Sequence, residues 1–470
     1  MRCQLYCAQA VMIIATATCP VVASAAGGDI LRTTQTHRAI GFHFEDADQA
    51  LLEQVQHACF QYFWKEVGSP APLARDRKKA PVSSIASVGF QLAALPIGVK
   101  HKWITRDAGR RRAEHVLSAL IARQDNKKYG VYVHFPDLNS GGLSHVGYEV
   151  VASTVDHALL AAGAMVAAEF FGDRVTALAD RLLIDTNWKA YATRRDGFLS
   201  MGWKPKNPER IDGPGEFLKW NWHDASDEER LIYFLAVGSP NQTHALAPDV
   251  YYRLARPIKR HAEMKPYVVS WPGSLFTYIF SHCYIDYRSL GADDPKRFGV
   301  EAPRVDWFEN SRRAVLTHRQ RCIEQASRFK TLAEDRWGLS ACAGRDGYIV
   351  PEVMPNIRDH DEWYAGTLAP YAAASAIMFT PRESMAAIRA FRSLKNGKGE
   401  PLVWRDPAKG GYGFVDAFNL DQGFASDDYV GIDQGPMLLA IENARTGLIW
   451  KLFMRHASAR RAIKRLRLGE

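Results

Sequence analysis

The stretch Ser153-Thr-Val-Asp-His-Ala-Leu-Leu-Ala-Ala-Gly-Ala-Met-Val-Ala-Ala-Glu-Phe-Phe171 decides the fold. It is long and apolar enough to be weighed as a membrane span. Asp156, His157 and Glu169 argue against that, because ionisable side chains at bilayer depth are expensive. A helix buried in a globular body fits better, and its Ala and Gly residues permit close packing against neighbouring helices. No stable membrane span is expected.

Working outward, the same helical periodicity recurs along most of the chain. Helices are expected over 47–65, 84–99, 108–123, 153–171, 173–188, 227–237, 247–261, 275–287, 307–329, 368–377, 381–393 and 435–454. Short extended pieces at 130–135 and 411–415 predict minor hairpins. The chain has 470 residues, 47% hydrophobic, and no Pro/Ser-rich linker divides it, so one large helical domain is favoured over several small ones. About twelve helices in pairs suggest an all-α fold, a single (α/α)6 toroid with a few hairpins in its loops, with an open solenoid as the alternative.

The formal charge of +9 is concentrated at one end. Between Lys451 and Glu470 seven basic residues face one acid, so the rest of the chain carries only +3. A nearly neutral body has no basic stripe of the kind that phosphate recognition needs, and no nucleic-acid partner is expected. The domain reading is therefore a secretory signal over 1–25, a helical domain over 26–456 and a basic tail over 457–470.

The signal is read from Arg2, an apolar run from Val11 to Ala15, and small residues ending in Ala23-Ser24-Ala25. It predicts a periplasmic or secreted protein; Cys19 as a lipid-attachment site is the less favoured alternative. Cys59, Cys283, Cys322 and Cys342 would remain after cleavage, with their pairing open. No CxxC or clustered Cys/His spacing suggests a metal, and no cofactor is expected.

Two loop-to-helix junctions could carry chemistry. In Trp220-Asn-Trp-His-Asp-Ala-Ser-Asp-Glu-Glu229 acids stand beside tryptophans, as suits stacking on sugar rings while a carboxyl addresses the glycosidic oxygen. Acids there also serve as helix caps, and Ser226 with Glu229 fits a capping box. In Ser426-Asp-Asp-Tyr-Val-Gly-Ile-Asp-Gln-Gly-Pro436, Asp433 is flanked by glycines, with an N-cap before Pro436 as the plainer reading. Asp156, His282 and Asp286 lie in apolar runs and need partners or a cavity. Trp203, Trp271, Trp337, Trp363 and Tyr412 are candidate cleft aromatics, each of which could equally be core packing.

The motifs Gly413-Phe-Val-Asp-Ala-Phe-Asn419, Tyr429-Val-Gly-Ile-Asp-Gln-Gly-Pro436 and Ile441-Glu-Asn-Ala-Arg-Thr-Gly-Leu448 together resemble the C-terminal signature of bacterial glycoamylase-like proteins. Ser84-Ile-Ala-Ser-Val-Gly-Phe90, Ser153-Thr-Val-Asp156, Trp271-Pro-Gly-Ser-Leu-Phe276 and Asp306-Trp-Phe-Glu-Asn-Ser-Arg312 match in order. That family includes endo-β-1,2-glucanases and is similar to the cyclisation domain of cyclic β-1,2-glucan synthases. The resemblance implies an (α/α)6 toroid and a glycoside hydrolase, with Glu228 at the general-acid position and Asp433 at the base position. Asp156, Trp203, Trp220, Trp222, His282, Asp286, Tyr412 and Asp428 are the expected substrate-binding residues.

The sequence departs from the family pattern at Ser226-Asp-Glu228, which has no aromatic-small approach, and at Ala341-Cys-Ala-Gly344, where relatives often carry Ala-Ser-Asp-Gly. The expected function is endo-β-1,2-glucan hydrolysis with inversion by a monomer acting on an oligo- or polysaccharide. A transglycosylase, a non-catalytic glycan-binding protein and a polysaccharide lyase are the alternatives.

Overall fold

The computed structural model describes residues 42–193, 195–225 and 227–470. The expected export signal, and Ser226 of the capping box, lie outside the described residues.

Fifteen α-helices are described: α1 (Asp46–Lys65), α2 (Ile85–Lys100), α3 (Arg106–Ile121), α4 (Thr154–Phe171), α5 (Asp173–Asp185), α6 (Trp188–Tyr191), α7 (Asp227–Val237), α8 (Asp249–Arg253), α9 (Tyr287–Leu290), α10 (Trp307–Glu324), α11 (Pro370–Ser375), α12 (Pro381–Ser393), α13 (Gly431–Arg445), α14 (Leu448–Arg455) and α15 (Ala457–Leu466). The strands are two to four residues long and pair antiparallel in small sheets. They include the expected hairpin pieces Val131–Tyr132 and Gly413–Phe414.

The helices form two layers. α7 packs on α4, α4 on α2, α2 on α13, and α13 on α11. In this inner row, α2, α4, α11 and α13 are buried on almost every side. The amphipathic helices α1, α3, α5 and α12 cover it from outside. The one described helix long and apolar enough to cross a membrane is α4, and 89% of it is buried in the protein. Its apolar length therefore belongs to an inner helix that meets protein all round.

The α2–α4 contact is the most extensive, and it depends on two helical glycines. A Cβ on Gly89 would lie 2.3 Å from the Leu159 carbonyl oxygen, and one on Gly163 would lie 1.9 Å from the Gly89 oxygen. Only hydrogen at both positions allows the two backbones to touch.

Three expected helices differ. The one over 247–261 is only α8, followed by the strand Ile258–Lys259, because Pro257 lacks an N–H and biases Arg256 away from helix. The stretch 275–287 is broken into the 3-10 turns Leu275–Tyr278 and Ser281–Cys283 before α9. Its aromatic and β-branched residues lose rotamer freedom in a helix, and its Thr277 hydroxyl donates to the Ser274 carbonyl at 2.6 Å. The expected 435–454 helix is α13 and α14, separated by Gly447 at φ 67°. Cys59, Cys283, Cys322 and Cys342 are buried free thiols.

The basic end of the chain is folded. α15 packs on α7, Arg461 and Arg465 donate to the Gly238 and Val237 carbonyls, and the Tyr252 hydroxyl donates to the Leu466 carbonyl. Arg460 and Lys464 face outward from this docked amphipathic helix, while Arg461 and Arg465 are half-buried.

Candidate active site

The N-terminal turns of all five inner helices meet at one cleft. It has an empty volume of about 990 Å³ and is lined by Ser84 before α2, Val155 and Asp156 of α4, Glu228 of α7, Tyr371 of α11, and Val430, Ile432 and Asp433 at the start of α13. Helix N-termini carry unpaired N–H groups and partial positive charge, so a convergence of this kind favours carboxylates in the first turns. Asp433 is the third residue of α13, and Pro436 lies inside that helix. The N-cap reading of Asp433 is thereby corrected, since the chain enters the helix at Val430.

Asp433 is 1% exposed, and both its oxygens are buried without a well-formed hydrogen bond. Burial, followed by the charge of the adjacent Asp416, holds its carboxyl well above the usual carboxylate range. Asp416 is also buried, accepts from the Ala343 N–H at 2.6 Å, and is pushed up to about 6, chiefly by burial. Two such carboxyls side by side cannot both ionise freely.

Glu228 is half-buried and faces the same cleft. Its neighbour Glu229 is 3% exposed, with one carboxylate oxygen unpaired, and burial plus the charges of Glu228 and Asp224 push its carboxyl well upward. The pair thus divides into a cleft-facing acid and a buried acid of raised proton affinity behind it.

Asp156 lies 3.4 Å from the His134 Nε2, and the His134 ring stacks on Phe135 at 3.7 Å. The Trp222 indole N–H donates to the Thr154 hydroxyl at 2.8 Å, so Trp222 offers the cleft carbon surface. Trp271, Phe276, Phe280, Met201, Tyr348 and Val350 complete the apolar walls. Arg77 and Asp76 enter from a loop stitched to α13 by the Gly431 N–H, which donates to the Asp76 carbonyl at 2.8 Å. Arg77 donates to Asp76 at 3.0 Å and lies 3.8 Å from Asp428.

The structure brings together Glu228, Asp433, Asp156 and Trp222, and adds Trp271 from the candidate aromatics. Six expected binding residues, Trp203, Trp220, His282, Asp286, Tyr412 and Asp428, stand outside the residues that line the cleft. Trp203 is buried against Phe217, with the Lys128 ammonium over its ring. Tyr412 donates to Glu66 and packs on Tyr62 and Tyr429. His282 is a core histidine next to the Ser311 hydroxyl, with its proton affinity lowered by burial. Asp286 is buried near Arg288, and Trp220 contributes a backbone carbonyl to the Met201 N–H. Asp428 lies 3.8 Å from Arg77 of the cleft and adds negative charge near Asp416. Trp337 and Trp363 are core residues.

Sequence reasoning missed Asp76, Arg77, His134, Tyr371 and Asp416. Of these, Asp416 stood inside the quoted Gly413 to Asn419 motif and was the one with a visible signal.

Residues 219–457 match the family model Glycoamylase, described as "Putative glucoamylase". The chain belongs to this glycoamylase family. Among its relatives is the exo beta-1,2-glucooligosaccharide sophorohydrolase (non-reducing end) of Parabacteroides distasonis, 28% identical over 453 residues. The match covers 89% of this chain and 58% of that protein, so the chain spans little more than half of the curated relative. A Bacteroides uniformis structure, also described as a "putative glucoamylase", superposes with a TM-score of 0.74 at 26% identity, covering 90% of this chain and 98% of the other. The endo-beta-1,2-glucanase of Chitinophaga pinensis, in complex with sophorotriose and glucose, gives 0.73 at 24% identity over 89% and 98% of the two chains, and shares the fold of this glycoamylase-family chain.

Proposed function

We propose that this chain is a glycoside hydrolase of β-1,2-glucan, with Glu228 as general acid and Asp433 as general base. One observation carries the reading: two carboxyls from the first turns of α7 and α13 line a single aromatic-walled cleft. The match to a sophorohydrolase supports the substrate. The inner row α7–α4–α2–α13–α11, with its N-terminal turns at the cleft, supports an (α/α)6 toroid, which we take as the finer description of the fold.

In the reaction the Glu228 proton passes to the glycosidic oxygen as the bond to the anomeric carbon breaks. Water attacks that carbon from the opposite face, directly or through a substrate hydroxyl, and its proton passes to Asp433, giving inversion. A carboxylate with raised proton affinity is the stronger base, which suits Asp433 near neutral pH. Trp222, Trp271 and the phenylalanines supply apolar faces to the sugar rings.

The cleft does not fit a uronate-cleaving lyase. Its one guanidinium, Arg77, already faces Asp76 and Asp428, while Asp76, Asp156, Glu228 and Asp433 make the lining acidic. Such a surface repels a polyanion and accepts a neutral glucan.

Endo action is the primary reading, and exo action is the second, favoured by the sophorohydrolase relative. Digestion of linear β-1,2-glucan beside β-1,3- and β-1,4-glucans tests both. A ladder of sophorooligosaccharides from the β-1,2-glucan alone is the expected product; sophorose alone from the first minutes would establish exo action, and no cleavage of β-1,2-glucan would overturn the substrate.

A further inference from the structure

We propose that Asp416 is a positioning residue for Asp433: the two adjacent buried carboxyls carry one proton between them, and it passes to Asp416 when Asp433 receives a proton from water. The inference rests on the reading of Asp433 as the base.

Asp416 comes from the loop after the strand Gly413–Phe414, and Asp433 from α13. Both are almost completely buried. Asp416 Oδ2 is fixed by the Ala343 N–H, which leaves Oδ1 as the atom free to carry a hydrogen toward Asp433. That Oδ1 and both Asp433 oxygens lack a well-formed hydrogen bond, and the Tyr371 hydroxyl lies close enough to Asp433 to favour its charged form in part. Three unsatisfied carboxyl oxygens in a buried site are best accounted for by a proton held between them, since two adjacent buried anions are strongly disfavoured.

Of the charged and titratable groups facing the pair, Arg77 supplies a compensating charge, and burial outweighs it. Tyr371 of α11 donates its hydroxyl to Ser340 and the Ala341 carbonyl. Cys342 is a buried thiol beside both acids. Arg77 is the nearest cation and is shared with Asp76 and Asp428. The α2 helix, packed against α13, has Lys100 at its far end as its only ionisable side chain.

The cycle balances. With the proton on Asp416 Oδ1 and donated to Asp433, the Asp433 carboxylate is anionic and oriented. Water loses one proton to Asp433 and its oxygen bonds the anomeric carbon, while the Glu228 proton goes to the leaving alcohol. The doubly protonated pair then returns one proton to solvent, and Glu228 takes one up.

The test compares Asp416→Asn and Asp416→Ala with the unmodified chain. An asparagine can accept from the Ala343 N–H and donate to Asp433 permanently. The expected result is a kcat-against-pH profile whose acid limb moves down by about one pH unit or more, with KM within about twofold. Asp416→Ala should lower kcat by about tenfold or more with KM little changed. An unmoved acid limb in Asp416→Asn, or a change in KM alone, would overturn the proposal.

A second measurement needs no substrate: the infrared carbonyl stretch of a protonated carboxyl at pH 7. One such band should disappear in both Asp416→Asn and Asp433→Asn. Retention of every band in both variants would overturn proton sharing even in a chain active on glucan. A chain inactive on every glucan that nevertheless loses the band would place the failure in the reading of Asp433 as a base.

Discussion

Glu228 in the first turn of α7 and Asp433 in the first turn of α13 line one cleft, although α8 through α12 lie between them in sequence. The inner helices present their N-terminal turns to that cleft, so acids distant along the chain arrive at one place. Glu228→Gln should lower kcat on β-1,2-glucan by about 10²–10⁴-fold, the range of a lost general acid. Glu229→Gln should retain most activity, because Glu229 is buried with raised proton affinity and glutamine resembles its protonated form. Steady-state kinetics on the two variants checks the assignment, and the reverse pattern would move the general acid to Glu229.

The pH dependence follows from the Asp416–Asp433 pair. A base works only when ionised, so activity should fall as pH falls and the pair takes up its second proton. Burial places Asp416 at about 6 and Asp433 well above its ordinary range, which sets the acid limb near pH 6 rather than near 4. A limb at about pH 4 in kcat would show that the pair is solvated in the working enzyme.

Stability should run opposite to activity. A carboxyl whose folded proton affinity exceeds its unfolded value binds more protons in the native state, so its contribution to stability declines as pH rises from its unfolded pKa through its folded one. Asp433→Asn removes that penalty and should stabilise the protein by on the order of 1–3 kcal/mol at pH 7. The gain should vanish below about pH 4, where Asp433 is protonated in both states. Denaturant unfolding at the two pH values measures it.

The tryptophans should separate by position. Trp222→Ala should raise KM several-fold, because its ring lines the cleft. Trp203→Ala should leave KM unchanged and destabilise the fold by about 3–5 kcal/mol, because its buried ring packs on Phe217. Kinetics and thermal unfolding of the two variants distinguish them.

The helical glycines make a steric prediction. Gly89→Ala would drive a methyl group into the Leu159 carbonyl and force α2 from α4, costing about 1–3 kcal/mol or more. A variant as stable as the unmodified chain would show that the two helices can separate freely.

Much of this architecture was legible in periodicity. The amphipathic α1, α3 and α12, and the small-residue α4, follow from local pattern because one face or all faces must be buried. The 275–287 stretch read as one helix because periodicity cannot register aromatic crowding or the side-chain bonds that hold 3-10 turns. At the site, the helix-start motifs marked the two acidic stretches, and the family resemblance singled out Glu228 and Asp433 from the acids beside them. Tyr412, His282 and Asp286 were not separable from cleft residues, since a buried polar group has the same sequence signature whether it meets a ligand or a neighbour such as Glu66 or Ser311. His134 and Arg77 were invisible because only tertiary pairing with Asp156 and Asp428 brings them to the cleft.

The most direct test of the central claim is product analysis of linear β-1,2-glucan incubated with the unmodified chain, Glu228→Gln and Asp433→Asn, each confirmed to be folded. The account predicts sophorooligosaccharides from the unmodified chain and at least about a hundredfold less from either variant. Equal product from all three, or none from any while each still binds the glucan, would contradict it and make the two carboxyls structural.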